Sequence, residues 1–131
     1  MVQDTSATKP ESQEGTTFIN IFHTTDREDQ ERLILSLVQV TEEVIRYQPG
    51  FISANLHQSF DGKTVTNFAR WRSKEDFTRA LETPGMLAHR EVLRGKYERE
   101  GYLGQITYTY VLPSEKPIAT LRSSDVLRSD M

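Results

Sequence analysis

Several side chains that form strong hydrogen bonds recur at alternate positions of segments that have the pattern of β-strands. They are Asn20, Asn55, His57, Asn67 and Trp71. Residues two apart in a strand point to the same side, so these groups are expected to converge on one face of a sheet. Burying several amides together is unfavourable unless each finds a partner, and a cavity that holds a polar ligand supplies such partners. The pattern predicts a ligand pocket, but it does not name a reaction.

Thiol and metal-dependent chemistry have little support in the remaining residues. The chain has no cysteine, which excludes disulfides, thiolate metal sites and a cysteine nucleophile. His23, His57 and His89 are scattered, and no second His or carboxylate lies at metal-ligand spacing around His57. The sequence also lacks the phosphate-loop, dinucleotide-binding, serine-hydrolase and zinc-protease motifs. We therefore predict that the protein needs no metal.

Alternation of polar and apolar residues predicts four strands, and a 3.6-residue period predicts three helices. The predicted strands are residues 17–23, 51–59, 64–72 and 105–111. The predicted helices are residues 26–48, 74–82 and 86–101. Thr25 and Glu28 have capping-box spacing at the first helix, and Ser73 is the expected cap of the second. Asp61-Gly62 joins the two middle strands as a tight hairpin.

The order β-α-β-β-α-α-β predicts an α+β protein of the ferredoxin-like type, with all helices on one face of an antiparallel sheet. Strand alternation places on that covered face Phe18, Asn20, Phe22, Phe51, Ser53, Asn55, His57, Val65, Asn67, Ala69 and Trp71. The opposite face receives Ile19, Ile21, Ile52, Ala54, Leu56 and Phe68. This second set is too apolar for water, so we predict that a second copy of the sheet covers it in a homodimer.

Length and charge restrict the function further. The 131 residues allow one domain, and 16 Lys+Arg against 19 Asp+Glu give a net charge of -3, which argues against a nucleic-acid partner. No apolar run is long enough to span a membrane, and we expect a cytoplasmic protein. Residues 1–16 and 113–131 are rich in Ser, Thr, Pro and charge, which predicts two tails around a folded domain of residues 17–112. Docking of residues 118–127 on the domain is the alternative.

The core of the chain, about residues 17–111, resembles the antibiotic biosynthesis monooxygenase family. The features that carry the resemblance follow in order: QPGF at 48–51, S-A-N-x-H at 53–57, the Asp61-Gly62 hairpin, and N-x-x-x-W at 67–71 before the R-S helix cap. Members of this family are dimeric α+β barrels of ferredoxin-like subunits. The resemblance therefore implies the same fold and a dimer.

Within the family, the sequence is most similar to the cofactor-independent oxygenases of aromatic polyketide pathways. These enzymes oxidise anthrone- or naphthacenone-type rings to quinones with molecular oxygen, without flavin, haem or metal. The resemblance implies catalytic roles for Asn20, Asn67 and Trp71, with His57 as a further pocket residue. It also implies that Phe77 stands where some members have Tyr, and that Arg90 is the candidate for an Arg of the third helix.

The chemistry of these side chains suits an anthrone as the small aromatic substrate. Loss of a methylene proton gives a delocalised carbanion that itself passes an electron to oxygen, so the protein has to bind the ring, stabilise the oxyanion and exclude water. Asn67 and Trp71 are neutral donors for that oxyanion, and Asn20 can hold a second carbonyl or a peroxide. An imidazole can act as a general base, so His57 is the candidate base, with proton loss to water as the alternative. The remaining predicted pocket residues are Phe18, Phe22 and Asn55.

Three other functions are alternatives for this sequence, and the first of them is disfavoured. A haem-degrading monooxygenase needs an axial His on the second helix, and residues 74–82 contain none. A non-redox polyketide cyclase or isomerase would use a similar pocket, and oxygen consumption distinguishes it. The third is a non-catalytic ligand-binding dimer, because a single Asn, Trp or His in a strand is often purely structural.

Overall fold

Four antiparallel strands and three helices follow one another in the predicted order in a computed structural model, which describes residues 15–113. The strands are β1 (Thr16–His23), β2 (Phe51–Gln58), β3 (Thr64–Trp71) and β4 (Glu98–Gly104). The helices are α1 (Arg27–Glu43), α2 (Lys74–Leu81) and α3 (Pro84–Leu93), and a short 3-10 turn covers Ile45–Tyr47. Most of both predicted tails, including residues 118–127, lies outside the described residues. Within residues 15–113, no helix is long and apolar enough to cross a membrane.

The sheet has the strand order β2-β3-β1-β4, and every neighbouring pair is antiparallel. All three helices pack on one face, where two groups of buried side chains form the core. One group is Phe22, Leu33, Leu37, Val65 and Leu93. The other is Ala69, Trp71, Phe77 and Ala80. The predicted α+β, ferredoxin-like fold is therefore confirmed.

The helix starts are set by side chains that accept hydrogen bonds from the first free backbone N–H groups. Ser73 caps α2, as predicted, and accepts from the backbone N–H of Asp76 at 3.0 Å. At α1 the cap is one residue later than predicted: Asp26 accepts from the N–H of Asp29 at 2.9 Å. Asp29 in turn accepts from the N–H of Thr25 at 2.9 Å, which holds the pKa of its carboxyl below the ordinary value. Two Asp side chains thus accept from backbone N–H groups at the start of α1, but Asp29 binds the residue before the cap and not the cap itself.

The last third of the domain differs from the prediction. The third helix ends at Leu93 instead of continuing to residue 101, because Gly95 adopts a left-handed conformation at φ +73°. Residues 98–104 then form β4, which pairs with β1 along its length. Their Glu and Arg residues favour helix locally, and pairing with β1 overrides that preference. The prediction of a strand at residues 105–111 is wrong, since these residues have no regular secondary structure in the single chain.

A β-bulge near the start of β2 changes which of its side chains face the helices. Phe51 lies opposite Trp71, but Ser53 already lies opposite Arg70, so Ile52 is the extra residue. One inserted residue exchanges the two faces for the rest of the strand. After the bulge, the residues that turn to the helix side are Ala54 and Leu56. Those that turn to the open side are Ser53, Asn55 and His57. The predicted faces of these five residues are therefore wrong.

The QPGF segment has a structural role at the start of β2. Gly50 has φ +89°, which favours glycine, and a side-chain carbon there would overlap Asp76. The Asp76 carboxylate accepts from Arg72 and from Arg79, both at 2.9 Å, and the Arg72 guanidinium lowers its pKa. Glycine therefore lets the turn before β2 pass against the start of α2.

Candidate active site

A cavity of about 350 Å³ lies between the covered face of the sheet and the three helices. This volume is at the lower end of the range of small-molecule pockets. The apolar lining includes Phe18, Phe22, Leu37, Val40, Ile45, Phe51, Ala54, Ala69, Trp71, Phe77, Ala80, Leu81 and Met86. The polar and charged lining consists of Asn20, Thr41, Asn67, His89, Arg90, Arg99 and Glu100.

Aromatic rings form one continuous wall of the cavity. Phe18 and Phe77 have ring centroids 4.7 Å apart, and Trp71 lies edge-on to Phe77 at 5.8 Å and to Phe51 at 5.3 Å. Such pairs hold one another in place and present a rigid apolar surface. Phe18, Phe22 and Phe77 all line the cavity, as the predicted pocket required. The wall can accommodate a planar aromatic ligand.

Two asparagines form a polar pair in the floor of this cavity. Asn20 on β1 lies directly opposite Asn67 on β3, which places their Cα atoms roughly 5 Å apart. Asn20 is only 8% exposed, and Asn67 is partly buried. Within residues 15–113, neither side-chain amide forms a hydrogen bond with the protein. Both amides are therefore available to oxygen atoms of a ligand.

Gly101 gives the Asn20 amide its space, and the sequence analysis missed this residue. It lies opposite Asn20 on β4, and a side-chain carbon there would be 3.0 Å from Asn20 Oδ1 and 3.3 Å from the Phe18 ring. A glycine inside a strand often marks such a close approach. That signal was hidden because residues 98–101 were predicted to be helical.

Trp71 contributes a buried donor without a partner. The residue is 3% exposed, its ring lines the cavity, and within the described part of the chain its Nε1–H forms no hydrogen bond. A buried donor left in this state costs about 1–3 kcal/mol. Trp71 lies four residues beyond Asn67 on β3, about 13 Å along the strand. A ligand with oxygen atoms at both ends would satisfy the indole and the amide pair together.

Two of the predicted site residues do not reach the cavity. Asn55 and His57 point to the open face of the sheet because of the bulge at Ile52, and both are exposed. His57 lies opposite Thr66, and Asn55 lies opposite Phe68. The prediction that they share the pocket with Asn20, Asn67 and Trp71 is therefore wrong.

A different histidine lines the cavity, and it comes from the helix layer. Met86, His89 and Arg90 share one face of α3 that turns towards the sheet. Arg99 approaches from β4, where its guanidinium lies 5.7 Å from the centre of the Phe22 ring. Burial, and secondly the charge of Arg99, hold the pKa of His89 below its ordinary value of 6.5. Arg90 was predicted at this site; His89 and Arg99 were missed, although the spacing of His89 from Met86 and Arg90 was a usable signal.

The described residues contain no group of three or more His, Asp or Glu side chains that could hold a metal ion. The polar residues that line the cavity supply two amides, a hydroxyl, an imidazole, a carboxylate and two guanidiniums, and Trp71 adds a buried indole N–H. This set binds and polarises a polar aromatic ligand and can move a proton.

Comparison with known proteins assigns this fold and cavity to a family. Residues 17–92 match the model of the antibiotic biosynthesis monooxygenase family, and the chain belongs to that family. The chain is 37% identical over 94 residues to the tetracenomycin-F1 monooxygenase of Streptomyces glaucescens, which covers 72% of this chain and 83% of that protein. The expected enzyme class, a monooxygenase, is confirmed.

Two solved structures extend the comparison. SnoaB, a cofactor-independent oxygenase from Streptomyces nogalater, is 29% identical with a TM-score of 0.61, over 76% of this chain and 97% of SnoaB. The ActVA-Orf6 monooxygenase of Streptomyces coelicolor, solved with nanaomycin D, is 28% identical with a TM-score of 0.65. That match covers 78% of this chain and 95% of ActVA-Orf6. This complex supports the expectation that the protein binds a small molecule.

Proposed function

We propose that the protein is a cofactor-independent monooxygenase that oxidises an aromatic polyketide of the anthrone or naphthacenone type to a quinone with molecular oxygen. The observation that carries the proposal is the buried, unpartnered N–H of Trp71, a residue that lines the same cavity as the Asn20–Asn67 pair. Similarity to the tetracenomycin-F1 monooxygenase supports a polyketide substrate, and similarity to SnoaB supports a reaction without cofactor.

The reaction balances without an external reductant. The substrate methylene loses two hydrogens and gains one oxygen atom, which is a four-electron oxidation, and O₂ is reduced by four electrons. One oxygen atom becomes the new carbonyl, and the other leaves with the two hydrogens as water. Because the substrate supplies all the electrons, the protein has to orient the ring, stabilise the oxyanion and exclude water.

The arrangement of side chains around the cavity supports a specific orientation of the ring system. The aromatic wall of Phe18, Phe77 and Trp71 holds the plane of the rings. The Asn20–Asn67 pair donates to the ketone oxygen of the central ring, where negative charge develops after proton loss. Trp71 donates to an oxygen at the end of the ring system, since it lies about 13 Å along the strand from Asn67.

Purified protein incubated with a model anthrone tests this function. We expect one O₂ consumed for each quinone formed, and a rate that does not change after treatment with a metal chelator. Oxygen uptake and quinone absorbance measure the two quantities. Turnover without oxygen uptake would instead favour a cyclase or isomerase, and activity that is lost on chelation and restored by one metal would contradict the cofactor-independent reaction.

Replacement of Trp71 by Phe separates the indole hydrogen bond from the packing of the ring. We expect kcat to fall about tenfold, because the variant loses one hydrogen bond to the ligand while an aromatic ring remains. The melting temperature should be unchanged or slightly higher, since a buried donor without a partner is removed. A lower melting temperature with unchanged kcat would show that Trp71 is a structural residue.

We also propose that the protein is a homodimer built on the open face of the sheet. After correction for the bulge, this face carries Ile19, Ile21 and Phe68, flanked by Ile52 and Tyr102. Ile52 is 46% and Tyr102 is 59% exposed in the single chain. Residues 105–113, which follow β4 in the chain, add further exposed apolar groups, among them Tyr108 and Val111. A second copy that covers this surface removes it from water.

A further inference from the structure

His89 is the titratable side chain that the helix layer brings to the cavity. It lies one turn from Met86 on α3, on the same helix face as Arg90, and all three residues line the cavity. The side chain is partly buried, and within the described residues it forms no hydrogen bond to the protein. His57, the base expected from the sequence, lies on the opposite face of the sheet.

We propose that His89 is the catalytic residue that accepts the proton from the substrate methylene, a role that rests on the proposed function. The ketone and the methylene of an anthrone lie at opposite edges of the central ring. The Asn20–Asn67 pair belongs to the sheet and His89 belongs to the helix layer, so these groups face each other across the cavity. A ring whose ketone contacts the amides therefore presents its methylene edge to α3.

The charges around His89 suit a residue that takes up a proton and releases it again. The charged groups that line the same cavity are Arg90 on its own helix and Arg99 and Glu100 on β4. Glu100 also lies 3.7 Å from the His23 imidazole, and both side chains are exposed. Burial and then Arg99 lower the pKa of His89, so the imidazole is neutral and able to accept a proton at pH 7. The same surroundings destabilise the imidazolium and favour its return of the proton.

The protons and electrons of the reaction balance with the His89 imidazole as the single protein base. An imidazole nitrogen takes the first methylene proton, and the electron pair of that C–H bond stays in the ring system as the carbanion. The carbanion is oxidised by O₂ and a C–O bond forms, which gives a peroxide that receives the proton back from the imidazolium. Removal of the second proton from the same carbon breaks the O–O bond, and the hydroxide that leaves combines with that proton as water.

Replacement of His89 by Gln, with His57→Gln as the matched control, tests this role. We expect His89→Gln to lower kcat with a model anthrone about 10²-fold, as for the loss of other general bases, and His57→Gln to leave kcat unchanged. The difference in kcat between His89→Gln and the wild-type protein should become smaller as the pH rises, because hydroxide then removes the proton without a protein base. The acid limb of the wild-type kcat profile should lie below pH 6.5, since the group must be neutral to act and its pKa is lowered. The variant should lack that limb.

A second variant separates catalysis from folding. His89→Ala leaves an opening at the cavity, and added imidazole should restore part of its oxygen uptake while the melting temperature of the variant stays the same. If the wild-type protein oxidises the anthrone and His89→Gln has the same kcat and the same pH profile, the role of His89 is overturned and the proposed function stands. Equal losses in His89→Gln and His57→Gln would overturn it as well. Wild-type protein that consumes no oxygen would instead overturn the proposed function and, with it, this role.

Discussion

Replacement of Asn67 by Ala is expected to lower kcat by about 10²–10³-fold, the usual effect of removing an oxyanion donor. The amide lies opposite Asn20 in the floor of the cavity and has no partner among the described residues, so its hydrogen-bonding capacity is free for the ligand. Because the negative charge develops in the transition state, KM should change less than kcat. Steady-state rates of oxygen uptake, with the melting temperature of each variant, measure the effect.

Asn55→Ala is the matched control for this prediction. Asn55 has the same side chain, lies on the neighbouring strand β2 and points to the open face of the sheet because of the bulge. Its replacement should leave kcat unchanged. If Asn67→Ala lowered the melting temperature and left kcat per folded molecule unchanged, the amide pair would be structural and the site assignment would fail.

Phe68→Asp is expected to convert a stable homodimer into a monomer. Phe68 lies between Ile19 and Asn55 on the open face of the sheet, at the centre of the proposed interface. Burial of apolar area contributes about 25 cal/mol per Å², and an interface of standard size buries roughly 800 Å² on each partner. An unpaired carboxylate in its dry centre costs several kcal/mol, which is enough to shift a micromolar dimer to monomers.

Phe60→Asp is the control for the change of charge. Phe60 lies in the Ser59–Lys63 hairpin loop and is 98% exposed, so the same substitution there should leave the dimer intact. Light scattering at micromolar concentration measures the mass of each variant. A wild-type protein that is monomeric under these conditions would contradict the proposed dimer, and dissociation by both variants would show that net charge, not the position of Phe68, decides assembly.

The sequence by itself determined the order of the helices and strands, and it determined which residues of β1 and β3 point towards the helices. Ser73 and the Asp61-Gly62 turn are local signals, and each lies where it was expected. Alternation along β1 and β3 was enough to place Asn20, Asn67 and Trp71 on one face, because these strands pair without interruption. A strand with a regular register keeps the period of two that a sequence shows directly.

Only the tertiary structure decided the register of β2 and the identity of β4. The bulge at Ile52 depends on how β2 meets β3, where the Arg72 N–H donates to the Gly50 carbonyl at 2.7 Å, and no side-chain pattern records that pairing. Residues 98–104 have local helical propensity, and their pairing with β1, almost eighty residues away in the chain, makes them a strand. These two features remove His57 from the cavity and bring Arg99 and Gly101 to it beside His89. Periodicity is a local property, whereas register and the choice of strand partner are set by contacts between distant segments, so the polar groups of the cavity could be only partly predicted.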